Sequence, residues 1–70
     1  MPFRDAPAGL RTLTARCLNF HRLRQTGQFA GDHETLRSWL NEKTDEEIVS
    51  LHGIGARTRD AVLRWVRGDL

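Results

Sequence analysis

Apolar positions along this chain recur at helical spacing and nowhere alternate as a half-buried strand requires, so every predicted element is a helix. The clearest stripe lies near the C-terminus. Ala61, Val62, Trp65 and Val66 fall on one arc, with Arg57, Asp60, Arg64 and Arg67 on the other. That pattern predicts an amphipathic helix from about Ala56 to Arg67, stopped by Gly68. Leu36, Trp39 and Leu40 form an i, i+3, i+4 face on an earlier helix that Asp32 can cap and that Asn41 to Lys43 end. Thr44, followed three residues later by Glu47, has the spacing of a capping box and opens a short helix with Ile48 and Val49. A first helix is expected from Thr14, as its cap, to about Arg24. Its apolar residues Ala15, Cys17, Leu18, Phe20 and Leu23 share no single stripe. Leu10 to Leu13 read as a lead-in, and the stretch from Gln25 to Gly31 as a loop. The expectation is an all-α, compact bundle of four to five short helices spanning residues 10–70, with residues 1–9 as an irregular arm containing Pro2 and Pro7.

The chain is organised around Leu51-His52-Gly53-Ile54-Gly55. This is the apolar-x-Gly-apolar-Gly pattern of a helix-hairpin-helix. Gly53 can take positive φ and reverse the chain sharply. Ile54 is expected to point inward and lock the turn to the core. Gly55 then opens the next helix with its first N–H groups uncovered, at the electropositive end of the helix dipole. A phosphate suits that position. The plainer alternative is an ordinary turn that uses two glycines.

Seventy residues make one small domain, which buries only about 60% of its unfolded surface and depends on good helix packing. No apolar run is long enough to cross a bilayer and the N-terminus lacks a signal-peptide core, so the cytoplasm is the expected compartment. The net charge of +2 is unevenly spread. Residues 1–31 carry five arginines and one acid, residues 32–51 six acids and two bases, and residues 52–70 four arginines and two acids. If the two ends fold together, they make a one-sided basic surface suited to nucleic acid. Ten of the eleven bases are arginine, whose planar fork suits phosphate and base edges.

Catalytic and metal chemistry find little support. Cys17 and His21 share a helix face, but no further cysteine exists and His33 and His52 are isolated, so neither a metal nor a cofactor is expected. Asp45, Glu46 and Glu47 sit where a helix dipole favours them, which accounts for them without acid–base work. Trp39 and Trp65 lie on apolar helical faces and read as core anchors rather than stacking platforms. The chain is not expected to be an enzyme.

Leu13-Thr14-Ala15-Arg16-Cys17-Leu18-Asn19-Phe20 resembles the opening of the first helix in the C-terminal domain of the bacterial RNA polymerase α subunit. Thr44-Asp45-Glu46-Glu47-Ile48 and Ile54-Gly55-Ala56-Arg57-Thr58 are similar to that family's later segments. The resemblance covers about two thirds of the chain. It implies a compact SAM-like helical fold that binds the minor groove of A·T-rich duplex DNA and contacts transcription proteins. It places the family's DNA-contacting arginine on Arg16, its asparagine on Asn19, and its hairpin glycine, basic residue and hydroxyl on Gly55, Arg57 and Thr58. Three features depart from the family: a longer stretch before Thr44, Phe20 and His21 in place of Cys-Leu, and a chain that opens at its own Met1. The expected function is therefore non-enzymatic DNA binding, non-specific or A·T-preferring, through Arg16, Asn19, Gly53, Gly55, Arg57, Thr58, Arg59 and Arg64. The alternative is a protein-interaction adaptor that uses the acidic segment 42–47.

Overall fold

The computed structural model describes residues 9–68, which form four helices and no strand: α1 (Thr12–Thr26), α2 (His33–Asn41), α3 (Asp45–Val49) and α4 (Ala56–Arg67). The expected N-terminal arm lies almost entirely outside the described residues. The four helices bear out an all-α bundle, and α4 has the bounds its pattern predicts. α4 packs on α2 and α3, while α1 packs on α2. Leu18, Leu36, Leu40, Ile48, Val62 and Val66 are enclosed at the centre, and Ile54 and Trp65 are buried in the same cluster. Each enclosed aliphatic side chain contributes about 1.5–3 kcal/mol through removal from water.

The helix starts fall into two kinds. Asp32 accepts from the Thr35 N–H at 2.7 Å and caps α2. Thr44 and Glu47 form the expected capping box on α3, with bonds of 3.2 and 3.0 Å. α1 and α4 start on Arg11 and Gly55, with no side-chain cap and no acid in the first turn.

α1 corrects the expected boundaries. It begins at Thr12 and continues to Thr26, so Thr14 lies inside the helix and does not cap it, and Leu13 is helical rather than part of a lead-in. Gly27 ends the helix in the left-handed conformation, with φ 83° and its N–H on the Leu23 carbonyl at 2.8 Å. The reason for the blurred pattern is visible in the packing. Ala15, Leu18 and Asn19 face the core, Leu13 and Phe20 lie on a second face, and the half-buried Cys17 borders both. Apolar residues on two faces cancel in any single-stripe reading.

Two polar staples supplement this small core. Asn19 is fully buried; its Nδ2 donates to the Ala30 carbonyl at 3.1 Å and its Oδ1 accepts from the Ala30 N–H at 2.7 Å. It thus satisfies both backbone groups of a buried residue and fixes the α1–α2 connection. At the far end, Arg67 Nη2 and Nε donate to Asp45 Oδ1 at 2.7 and 3.2 Å. Its Nη1 donates to Asn41 Oδ1 at 2.7 Å and to the Asn41 carbonyl at 3.1 Å, and its Nη2 also donates to the Lys43 carbonyl at 2.9 Å. One guanidinium therefore ties the end of α4 to the link between α2 and α3. Trp39 packs on the core, and the Lys43 ammonium lies over its ring at 4.6 Å.

Asn19→Ala is expected to lower stability by about 2–3 kcal/mol, because it leaves a buried N–H and carbonyl of Ala30 without partners. Urea denaturation followed by circular dichroism measures this, and a loss below about 0.5 kcal/mol would show that water replaces the amide. The cap carboxylates give a pH dependence. Backbone N–H bonds from Thr35 and Thr44 hold Asp32 and Glu47 below the usual carboxylate range. Their stabilisation is present above the ordinary carboxylate pKa and is lost as pH falls through the depressed folded values. Asp32→Asn, which keeps an acceptor but does not titrate, should flatten that acid-side loss in a pH series of urea midpoints.

Candidate nucleic-acid interface

The hairpin is built against α1. After α3, the Leu51 N–H bonds to the Ile48 carbonyl at 3.2 Å and the Ile54 N–H to the Leu51 carbonyl at 3.3 Å. Gly53 turns the chain with φ 92°. The carbonyl of His52 receives two donors from successive turns of α1: His21 Nε2 at 2.6 Å and Cys17 Sγ at 3.5 Å. A carbonyl only accepts, so the His21 hydrogen sits on Nε2. Burial pushes the Cys17 thiol up from its ordinary pKa, against a smaller opposing pull from Arg24, which keeps the donor proton in place. Cys17 and His21 thus hold the hairpin, and no group of three metal-binding side chains exists among the described residues.

The two hairpin glycines differ in kind. A Cβ on Gly53 would lie 2.9 Å from Cys17 Sγ, and its φ is one that L residues rarely adopt. Gly55 has an ordinary φ of −76°, and a Cβ there would meet nothing within 4 Å. Gly55 is the N-cap of α4, and its carbonyl accepts from the N–H groups of Thr58 at 3.0 Å and Arg59 at 3.1 Å. The N–H groups of Ala56 and Arg57 belong to the open first turn. Ile54 is buried, as its inward role requires.

The starts of α1 and α4 meet. Gly9, Leu10 and Arg11 form one side of a concave surface of about 370 Å³, and Arg57, Thr58 and Ala61 the other. Two uncapped helix N-termini and two arginines therefore converge on one depression. Arg16 lies one turn further along α1, half-buried, in a neighbouring groove that also contains His52 and Gly53. Arg57 and Arg59 are exposed at the start of α4, and Arg64 is exposed about two turns on. The first helix and the hairpin thus share a face.

Asn19 is corrected. Enclosed in the core with its amide committed to Ala30, it presents nothing to an external ligand. Arg11 was absent from the expected set, although an arginine immediately before an acid-free helix start is a visible signal. The acidic segment is partly committed inside the fold, since Asp45 holds Arg67 and Glu47 closes the capping box. No described helix is long and apolar enough to cross a membrane. Comparison of the chain with protein-family models, curated proteins and solved structures finds no match.

Gly53→Ala is expected to cost about 2–4 kcal/mol through left-handed strain and the contact with Cys17 Sγ. Gly55→Ala should cost less than about 1 kcal/mol, the difference between glycine and alanine at an N-cap. Thermal denaturation of both variants, with Cys17→Ala added to the first, separates the causes. Relief of the contact by Cys17→Ala would appear as a favourable coupling, whereas strict additivity would leave backbone strain alone.

Proposed function

We propose that this chain is a non-enzymatic module that binds duplex DNA, mainly through phosphates seated where the starts of α1 and α4 converge. The observation that carries this reading is the shared depression itself. Arg11, Arg57 and Thr58 border it, and both helix starts are free of acids, while acids occupy the starts of α2 and α3. Helix N-termini favour anions, and a hydroxyl and two guanidinium groups supply donors to phosphate oxygens. Gly55 leaves the space over the α4 start open, as close approach of a phosphate requires.

Arg16, beside the same face, is the minor-groove probe in this reading. The resemblance to the polymerase α-subunit domain supports that role, and a narrow A·T-rich minor groove attracts arginine through its enhanced negative potential. A transcription-related role follows from the same resemblance. Arg59 and Arg64 extend the basic surface along α4.

Titration of the chain with A·T-rich and G·C-rich duplexes at several salt concentrations tests the reading. Four basic contacts, by Arg11, Arg16, Arg57 and Arg59, give an expected log–log salt slope of about −3 to −4. Arg57→Ala or Arg11→Ala should weaken both duplexes equally and reduce the slope by about 1. Arg16→Ala should cost more on the A·T-rich duplex. Gly55→Ala should lose DNA affinity while it retains its helicity. Salt-independent binding, or full affinity in a folded Gly55→Ala variant, would remove the phosphate seat.

A further inference from the structure

α1 carries two apolar faces, and the core consumes only one of them. The other presents Leu13 and Phe20, with Arg16, the half-buried Cys17 that also packs on the core, His21 and Arg24 on the same stripe at i, i+3, i+4, i+7, i+8 and i+11. His52 and Gly53 of the hairpin form the opposite wall, and together they bound an open groove of about 450 Å³. Leu13 is 76% exposed and Phe20 42%. Phe29, at 38%, meets Phe20 edge-on with ring centroids 5.2 Å apart. These are the exposed large hydrophobics among the described residues, so the uncovered apolar surface is concentrated at this groove and its margin. Among the described residues its lining includes two guanidinium groups and two imidazoles but no carboxylate.

We propose that this groove docks an acidic amphipathic helix from a partner protein. The partner's bulky apolar side chains lie on Leu13 and Phe20, and its carboxylates face Arg16 and Arg24. The stripe from Leu13 to Arg24 runs about 16 Å along α1, which matches three turns of a facing helix. An amphipathic helix places anchors at i, i+3 or i+4 and i+7 along such a groove. The charge selects the partner's sign, because a basic helix would set like charge against the exposed Arg24. A second copy docked groove to groove would oppose Arg16 and Arg24 to their own counterparts. Phosphate over Leu13 and Phe20 would lose water against an apolar floor. The inference does not rest on the DNA reading. Arg16 serves both, so the test uses Leu13 and Arg24.

A displayed library of 16-residue helix-biased peptides is selected on the whole chain after counter-selection on Leu13→Glu. That variant changes an exposed residue in the first turn of α1, where a carboxylate is favoured by the helix dipole, so the fold is retained. Leu13→Ala repeats the comparison without added charge, and circular dichroism checks both. Enriched peptides are expected to be net negative, with bulky apolar residues three or four apart. They should bind wild type at least tenfold more tightly than Leu13→Glu and several-fold more tightly than Arg24→Glu. No enrichment over the counter-selected variant would overturn the proposal, as would peptides that are basic or uncharged. A dimer dissolved by Leu13→Glu would assign the groove to a second copy instead. A duplex whose affinity falls with Leu13→Ala as far as the peptides' does would assign it to DNA.

Discussion

The tertiary arrangement hangs on one backbone carbonyl. His52 O, at the tip of the hairpin, is held by His21 and Cys17 from adjacent turns of α1. The glycine at the next position leaves room for that approach, because a Cβ there would lie 2.9 Å from the Cys17 sulfur. This contact joins the N-terminal helix to the hairpin, across 31 and 35 residues of sequence. It sets the hairpin beside α1, and Arg16 falls in the same groove as a consequence. Without it, the apolar groove would lose its hairpin wall.

The arginines divide according to what surrounds them. Arg67 is consumed by Asp45 and by backbone and side-chain oxygens at the end of α2, and Arg22 donates to the Gln28 carbonyl. Arg37 reaches the Val66 carbonyl and pairs with Glu34. These fasten loops and helix ends in a domain whose apolar core is small. Arg11, Arg57, Arg59 and Arg64 stand at the surface instead. Acids occupy the starts of α2 and α3 but are absent from the starts of α1 and α4, so local helix chemistry itself sorts the charge. The modest overall charge of +2 conceals that sorting.

The depression at Arg11 and Arg57 and the groove at Leu13 and Phe20 both begin in the first two turns of α1, yet their chemistry differs. One combines uncapped helix starts with hydroxyl and guanidinium donors. The other has an apolar floor with a cationic rim. A small domain can separate two kinds of surface in this way, because a helix turns its side chains through successive faces every few residues.

Local chemistry was legible in the sequence. The capping box at Thr44 and Glu47, the Asp32 cap, the bounds of α4 and the inward Ile54 depend on neighbours within a few positions, so spacing alone determines them. Even Gly53 could be marked as a turn, since positive φ is a local demand. α1 resisted the same treatment. Its apolar residues serve two surfaces, and a periodicity read along one chain assigns each residue only to a single stripe. Asn19 shows the limit most clearly: an asparagine near arginines on a helix looks like a surface contact until Ala30 comes to meet it. Arg67 reads as part of a basic face until Asn41, Lys43 and Asp45 gather around it. Such partners lie 11 to 26 residues away, and their approach is decided by how the helices pack. Residue type and spacing determined which groups could bond; only the packed fold decided which of them were already taken.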